Sequence, residues 1–193
     1  MSNMTSQHVS VMPKEVLDQL APLPGQFFID GTLGGGGHTR LLAARVGAEG
    51  LVLGVDRDPA VIARAERELA GLPVQVAQAN FCDIPEVLLA ADRQQAHGIL
   101  LDLGLSSDQM ADDDRGFSFH SDGPLDLRFD PNSGEPAWRL LQRLSAEHLA
   151  DLIYHYGEER YSRRVARKIV EQRQTRPIRT ASELADLVRR CVP

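Results

Sequence analysis

A chain of 193 residues, 42% of them hydrophobic, has material for one domain, or for one domain and a small appendage. A net charge of −6 excludes a protein that is basic throughout, and no run approaches the roughly 18 apolar residues of a membrane span. Cys82 and Cys191 are too few for a disulfide framework, so a reducing cytoplasm is expected, with Cys82 a small buried hydrophobe.

Residues 1–8 read as loosely attached, and the polar Met1 to Gln7 carries no apolar signal region, so export is not expected. Val9 to Leu20 contains a helix with Pro13 in its first turn. Ala21 to Gly25 breaks it and leads to a strand at Phe27 to Asp30. A glycine turn, Gly31 to His38, follows, then a helix from Thr39 to Val46 and a strand from Leu51 to Asp56. Asp58 is placed to cap the next helix, Ala60 to Ala70, with Pro59 at its first position. Val74 to Ala79 is a third strand. The Asn80 to Asp83 loop leads to a short helix at Pro85 to Ala91. Gly98 to Asp102 is a fourth strand, expected to be buried on both faces because its run is almost continuously apolar.

Leu103 to Pro136 has no periodicity, and a loop of that length in a compact domain is usually functional or disordered. From Glu135 the pattern is helical: Trp138 to Leu144, Ala146 to Tyr156, Glu158 to Arg173 and Ser182 to Arg190. Ser145 and Ser182 look like helix starts. With no strand between them, these helices should pack as a small bundle. From Tyr154 to Pro193 there are ten Lys or Arg against five Asp or Glu, so that stretch carries +5 and the remainder −11. Any nucleic-acid contact is therefore expected in the C-terminal part, although a solvated helix face with internal ion pairs has the same composition.

Alternating strands and helices imply a parallel sheet, with ligands beyond the carboxyl ends of its strands. Asp30, Asp56, the Asn80-Phe81 loop and Asp102 all fall at that edge. Glycines in the turn let a ligand lie against bare main chain, and the helix after it aims unpaired N–H groups at the same place. Asp56 lies 19 residues after Gly37, where a carboxylate can accept from both hydroxyls of a ribose. It could instead cap the following helix. The pattern thus points to a cofactor bearing a nucleoside. Metal and nucleophile chemistry find little support: the six histidines show no ligand spacing, there is no CxxC, and Ser106-Ser107 has no neighbouring base.

The motifs Ile29-Asp30-Gly31-Thr32-Leu33-Gly34-Gly35-Gly36-Gly37-His38-Thr39-Arg40, Asp56-Arg57-Asp58-Pro59 and Gly98-Ile99-Leu100-Leu101-Asp102-Leu103-Gly104-Leu105-Ser106-Ser107 resemble the signature of the MraW/RsmH family. So do Arg115-Gly116-Phe117-Ser118-Phe119, Asp122-Gly123-Pro124-Leu125-Asp126 and Tyr156-Gly157-Glu158-Glu159-Arg160. The resemblance runs from about His8 to the last residue. It implies an α/β fold, the Rossmann-like parallel sheet of the class I S-adenosylmethionine-dependent methyltransferases, with an inserted all-helical subdomain. It implies methylation of the N4 amine of a cytidine in small-subunit ribosomal RNA. Its implied contacts to S-adenosyl-L-methionine are Gly36, Gly37, His38, Asp56, Phe81, Asp102 and Gln109. The residues themselves support Gly36, Gly37, Asp56, Phe81 and Asp102, with Phe81 as a wall for adenine or simply a core side chain. For His38 and Gln109 only the resemblance assigns a role.

For catalysis, Asp102 or a backbone carbonyl between Leu103 and Ser106 is placed to accept a hydrogen from the target amine. Other amino-methyltransferases carry a polar-Pro-Pro-aromatic motif at that point, where this chain has Asp-Leu-Gly-Leu. Arg163, Arg164, Arg167 and Lys168 are candidates for RNA phosphates. Phe117 and Phe119 could stack on the target base, or serve as core or lid residues. Three segments are expected: 1–110 for the cofactor, 111–135 as a loop at the active site, and 136–193 as the helical subdomain. The expected partner is small-subunit ribosomal RNA, with a homodimer allowed and neither membrane nor metal. Family chains continue past Pro193 and return to the sheet. With those later strands missing, the fourth strand should form an unprotected apolar edge, leaving the chain alone poorly stable or inactive. Rival readings are an inactive fragment, a non-catalytic RNA-binding module, and an NAD-dependent oxidoreductase, the last lacking the usual GxGxxG spacing.

Overall fold

The computed structural model describes residues 10–120 and 122–193, and the readings made for residues 1–9 lie outside them. The chain forms two compact units, the first ending at Asp108 and the second running from Gln109 to Pro193. No helix among the described residues is long and apolar enough to cross a membrane.

In the first unit, β1 (Phe27–Asp30), β2 (Leu51–Asp56), β3 (Val74–Gln78) and β4 (Gly98–Leu100) make one parallel sheet in the order β3-β2-β1-β4. The connecting helices are α2 (Gly37–Val46), α3 (Pro59–Glu68) and α4 (Ile84–Ala90), with α1 (Pro13–Leu20) ahead of the sheet. Alternation along the strands divides the core. Phe27, Ile29, Leu53 and Val55 face α4 through Ile84, Val87 and Leu88. Phe28 and Val52 face Leu17 and Leu20 of α1 and Leu42, Ala43 and Val46 of α2. Val61 and Ala65 of α3 join that second face through Val74. Thus α2 and α3 cover one face and α4 the other, as right-handed crossovers require when the chain first steps from β1 to β3 and then returns past β1 to β4. The strand order therefore reverses between β1 and β4, which places a switch point beside the carboxyl ends of those two strands.

Two expectations need correcting in this unit. The fourth strand is shorter than predicted and is not buried on both faces: Ile99 is 49% exposed and Leu101 44%. Among the described residues β4 pairs with β1 alone, so its outer edge has no partner, in agreement with the apolar edge read from the sequence. Cys82 is exposed rather than buried, because Phe81–Asp83 winds into a 3-10 turn held by the Asn80 Oδ1 acceptor, 3.1 Å from the Cys82 N–H.

The long unpatterned stretch contains one short helix, α5 (Ser107–Ala111), that the sequence did not signal. The helices α6 (Ala137–Arg143), α7 (Ala146–Gly157), α8 (Ser162–Thr175) and α9 (Ala181–Cys191) then pack together around Leu149, Val165, Ile169, Ile178 and Leu187. Leu125 sits in the same core, 2% exposed. Its N–H is accepted by the Arg179 carbonyl at 2.7 Å, and its own carbonyl accepts from Trp138 at 3.0 Å. Asp126 grips Arg128 through both carboxylate oxygens, each at 2.7 Å, and this pairing holds its carboxyl below the usual range. The Gly123 to Arg128 motif is thus a spine for the helices.

Ser145 caps α7 as expected, but α9 starts earlier than predicted, capped by Thr180 in a reciprocal box with Glu183. The predicted helix from Glu158 begins only at Ser162. Glu158 closes α7 in a left-handed conformation, φ 51°, and the Glu159 carboxylate accepts the Tyr161 N–H at 2.7 Å, so the intervening residues form a turn.

Two outcomes follow from this packing. Gly116 has φ 69°, and a Cβ there would overlap the Pro124 carbonyl oxygen. Gly116→Ala should therefore cost at least about 1–2 kcal/mol, seen as a lower melting temperature. Ile99→Lys should reduce concentration-dependent association of the chain in sedimentation velocity, since charge on an open edge opposes strand pairing.

Candidate functional site

The switch point of the first unit gathers most of the carboxyl-edge residues named from the sequence. Asp30 ends β1 and is 1% exposed. Its Oδ2 accepts the Thr39 hydroxyl at 2.7 Å, and its Oδ1 accepts the Thr32 N–H at 3.2 Å and the Thr32 hydroxyl at 3.4 Å. Thr32 Oγ1 in turn accepts the Asp102 N–H at 2.7 Å. The turn after β1 is therefore tied to the chain leaving β4, and Asp102 is positioned by a hydroxyl 70 residues earlier in sequence.

His38 lies in the first turn of α2, 7% exposed, and neither ring nitrogen has a hydrogen-bond partner among the described residues. Its Nε2 is 3.7 Å from Asp102 Oδ2, beyond hydrogen-bond length. A buried imidazole left unsatisfied is costly, and such groups mark places where a ligand or water completes the bonding. This is the strongest local sign of a ligand, and the composition alone gave His38 no role.

The glycine turn is held from both sides. The Gly34 N–H donates to Asp56 Oδ2 at 2.9 Å, and the Gly34 carbonyl accepts from Arg64 at 3.2 Å. Arg64 also pairs with Asp108 at 2.6 Å. Asp56 does not cap α3; Asp58 does, accepting the Ala60 N–H at 2.9 Å, while Asp56 Oδ1 accepts the Asp58 N–H at 3.0 Å. Each Asp56 oxygen thus has a backbone donor, the Arg57 N–H also bears on the carboxylate, and lone-pair capacity remains. Gly34 and Gly36 have φ 48° and 73°, so glycine is required there by backbone conformation. At Gly37 the space a Cβ would fill is taken by the Ser10 hydroxyl. α2 has no side-chain cap, so its first N–H groups are not covered by one. Phe81 is at the same rim, 37% exposed, with its Cβ against Gly31.

The remaining candidates belong to the second unit. Gln109 is buried on α5. Phe117 packs on Phe129 with ring centres 5.4 Å apart, whereas Phe119 is 53% exposed. Arg115 of the same motif is occupied with the carbonyls of Arg128 and Phe129. Arg163, Arg164, Arg167 and Lys168 all lie on α8. Thr32, Thr39 and the Arg64–Asp108 pair went unread in the sequence: apart from the Thr32–Asp30 contact, their partners are 9 to 70 residues away, and no local pattern announces them.

The model of the MraW methylase family matches residues 5–193. The chain belongs to that family. Ribosomal RNA small subunit methyltransferase H of Trichlorobacter lovleyi is 47% identical over 188 residues, 96% of this chain and 60% of the relative. The protein of the same name from Deinococcus radiodurans is 50% identical over 190 residues, 98% of this chain and 59% of the relative. The chain thus spans about 60% of the length of these curated relatives. Among solved structures, a SAM-dependent methyltransferase from Aquifex aeolicus overlaps 36% of this chain and 38% of its own, at 25% identity and TM-score 0.33.

The methyl donor of methylases of this kind, S-adenosyl-L-methionine, bears a ribose and a positively charged sulfur. Residues at the switch point fit it: rim carboxylates Asp56 and Asp102, an unsatisfied His38, and a turn of bare main chain.

Burial pushes the carboxyls of Asp30 and Asp56 above their ordinary value of 3.8. A carboxyl whose pKa rises on folding holds its proton more tightly in the native chain. Its contribution to stability is complete below 3.8 and is lost as pH climbs through the raised value. Asp30→Asn, neutral at every pH, keeps an acceptor for the Thr32 N–H and a donor toward Thr39. Its melting temperature should therefore gain on the parent's as pH is raised from about 4 to about 7. Parallel melting curves with no such convergence would show that Asp30 titrates normally.

Proposed function

We propose that this chain supplies the cofactor-binding and RNA-facing parts of an S-adenosylmethionine-dependent methyltransferase that modifies the N4 amine of a cytidine in small-subunit ribosomal RNA. The observation that carries the cofactor half is the unsatisfied His38 facing Asp102 at the β1/β4 switch point. The RNA half is supported by the relatives 47% and 50% identical, which are ribosomal RNA small subunit methyltransferases by name.

The bound donor would supply an electrophilic sulfonium methyl. The protein's task is then to align an amine with it and to accept charge. Asp56 has lone-pair capacity for a ribose hydroxyl beyond its backbone donors. Phe81 offers an apolar surface at the rim for a purine. The Asp102 side chain, 37% exposed, has both a solvent-facing aspect and the His38 ring at 3.7 Å. It is the candidate acceptor for a hydrogen of the target amine, drawing lone-pair density to nitrogen and taking the proton released when the N–C bond forms. The Thr32 hydroxyl on its N–H fixes the backbone from which that carboxylate projects. A base in helical RNA must leave its stack to reach such a pocket.

Calorimetric titration with adenosylmethionine tests the first half. Asp56→Asn should weaken binding by roughly 1–3 kcal/mol, the cost of a lost charged acceptor. In the chain extended by the remaining 40% or so of a relative, tritium transfer to small-subunit RNA should fall on the order of a hundredfold or more for Asp102→Ala. Full transfer by that variant would remove Asp102 from the chemistry.

A further inference from the structure

The second unit has a cleft for which the cofactor reading has no use. Arg164, Lys168, Glu171 and Gln172 of α8 face Leu187, Arg190 and Cys191 of α9 across a space of about 450 Å³. Arg164, Lys168 and Gln172 follow at steps of four, one stripe of a helix. Leu187, Arg190 and Cys191 repeat the pattern at steps of three and one. Leu187 and Cys191 are each 2% exposed and belong to the core, so the floor is apolar.

The walls are cationic, and the engagement of the cations singles the cleft out. Most of the basic C-terminal segment is occupied. Arg173 donates to the carbonyls of Leu141 and Leu144, Arg176 to Glu183, Arg189 to Asp186 and Arg167 to the Arg163 carbonyl. Arg160 and Arg179 lie over the rings of Tyr161 and Trp138. Lys168 is neutralised by Glu171 at 2.6 Å. Among the described residues, Arg163, Arg164 and Arg190 are left without an acceptor or ring, and two of those three line this cleft. Two unengaged guanidiniums lining one space over an apolar floor favour an anion there, and the planar fork suits phosphate.

We infer that this cleft seats one backbone phosphate of a single-stranded RNA segment between Arg164 and Arg190, with the adjoining nucleoside over Leu187 and Cys191 and within reach of the Gln172 amide. The volume falls in the ~300–1,000 Å³ range of small-ligand sites, room for one nucleotide unit and not for a duplex. The inference rests on the RNA-modifying reading above. It also divides the four cations predicted as phosphate contacts: Arg164 and Lys168 line the cleft, whereas Arg163 and Arg167 do not.

The test is fluorescence-anisotropy titration of the chain with a labelled 12-nucleotide RNA across a range of salt. Arg164→Ala/Arg190→Ala should weaken binding about tenfold or more and flatten the log–log salt slope by about 0.7 per phosphate lost. Arg163→Ala/Arg167→Ala should do markedly less. Equal losses in the two pairs would mean diffuse attraction and overturn the site. RNA carrying 4-thiouridine should crosslink, on irradiation, to the peptide spanning 181–191, and the crosslink should vanish in Arg164→Glu. Crosslinking confined to other peptides, with none to 181–191 in this chain or in its extended form, would also overturn it. Displacement of the RNA by millimolar inorganic phosphate would assign the cleft to a free anion, and displacement by polyglutamate to an acidic protein segment; either outcome refutes the inference. Adenosylmethionine titration of the same variants separates the two readings. Unchanged donor affinity with lost RNA binding supports the cleft, whereas absent donor affinity with RNA binding intact defeats the methyltransferase reading alone.

Discussion

A carboxylate shut away from water organises the rim of the sheet. Asp30 is almost wholly buried, and desolvation works against its charge, yet both its oxygens are engaged by Thr32 and Thr39. Those bonds make the burial tolerable and fix two hydroxyls in turn. Thr39 locks the first turn of α2 to the end of β1. Thr32 carries the constraint across to β4 through the Asp102 N–H. Asp102, His38 and the glycine turn owe their relative positions to this small polar network, which sits where strand order reverses.

The second unit is organised by a different device. Its four helices are amphipathic, but the segment before them does much of the joining. Leu125 enters their core, the Arg179 and Leu125 carbonyls accept backbone donors across it, and Asp126 with Arg128 braces the turn. Arg115 extends the brace by binding two carbonyls downstream. Of the cation beside two aromatics in the 115–119 motif, Arg115 and Phe117 have partners within the unit. Phe119 alone of that group keeps a mostly exposed ring.

How much of this was legible depended on the range of the interactions. The four strands, the parallel sheet, the Asp58 cap and the helical C-terminal part all follow from periodicity and local punctuation, and the structure contains them. Ends were less secure: Glu158 reads as a good helix former, but a left-handed closure of α7 overrides its propensity. The burial of β4 was misjudged because an apolar run cannot reveal whether a strand has a neighbour on each side. At the rim, the acids and glycines were visible by type and spacing. The threonines that orient them were not, since a hydroxyl partner 70 residues away leaves no trace in composition. His38 shows the same limit: only its enclosed, unsatisfied ring distinguishes it from an ordinary helix-start residue.

The lopsided charge of the chain, +5 over the final forty or so residues and −11 before them, has a kinetic consequence. Cations in solution are drawn toward the earlier stretch and anions toward the last one, before any contact forms. Each stretch likewise repels ions of its own sign. Raising ionic strength shortens the reach of that sorting to a few ångströms near molar salt. Encounter with a charged ligand of either sign should then slow, even where the affinity of the settled complex is governed by contacts too close to be screened.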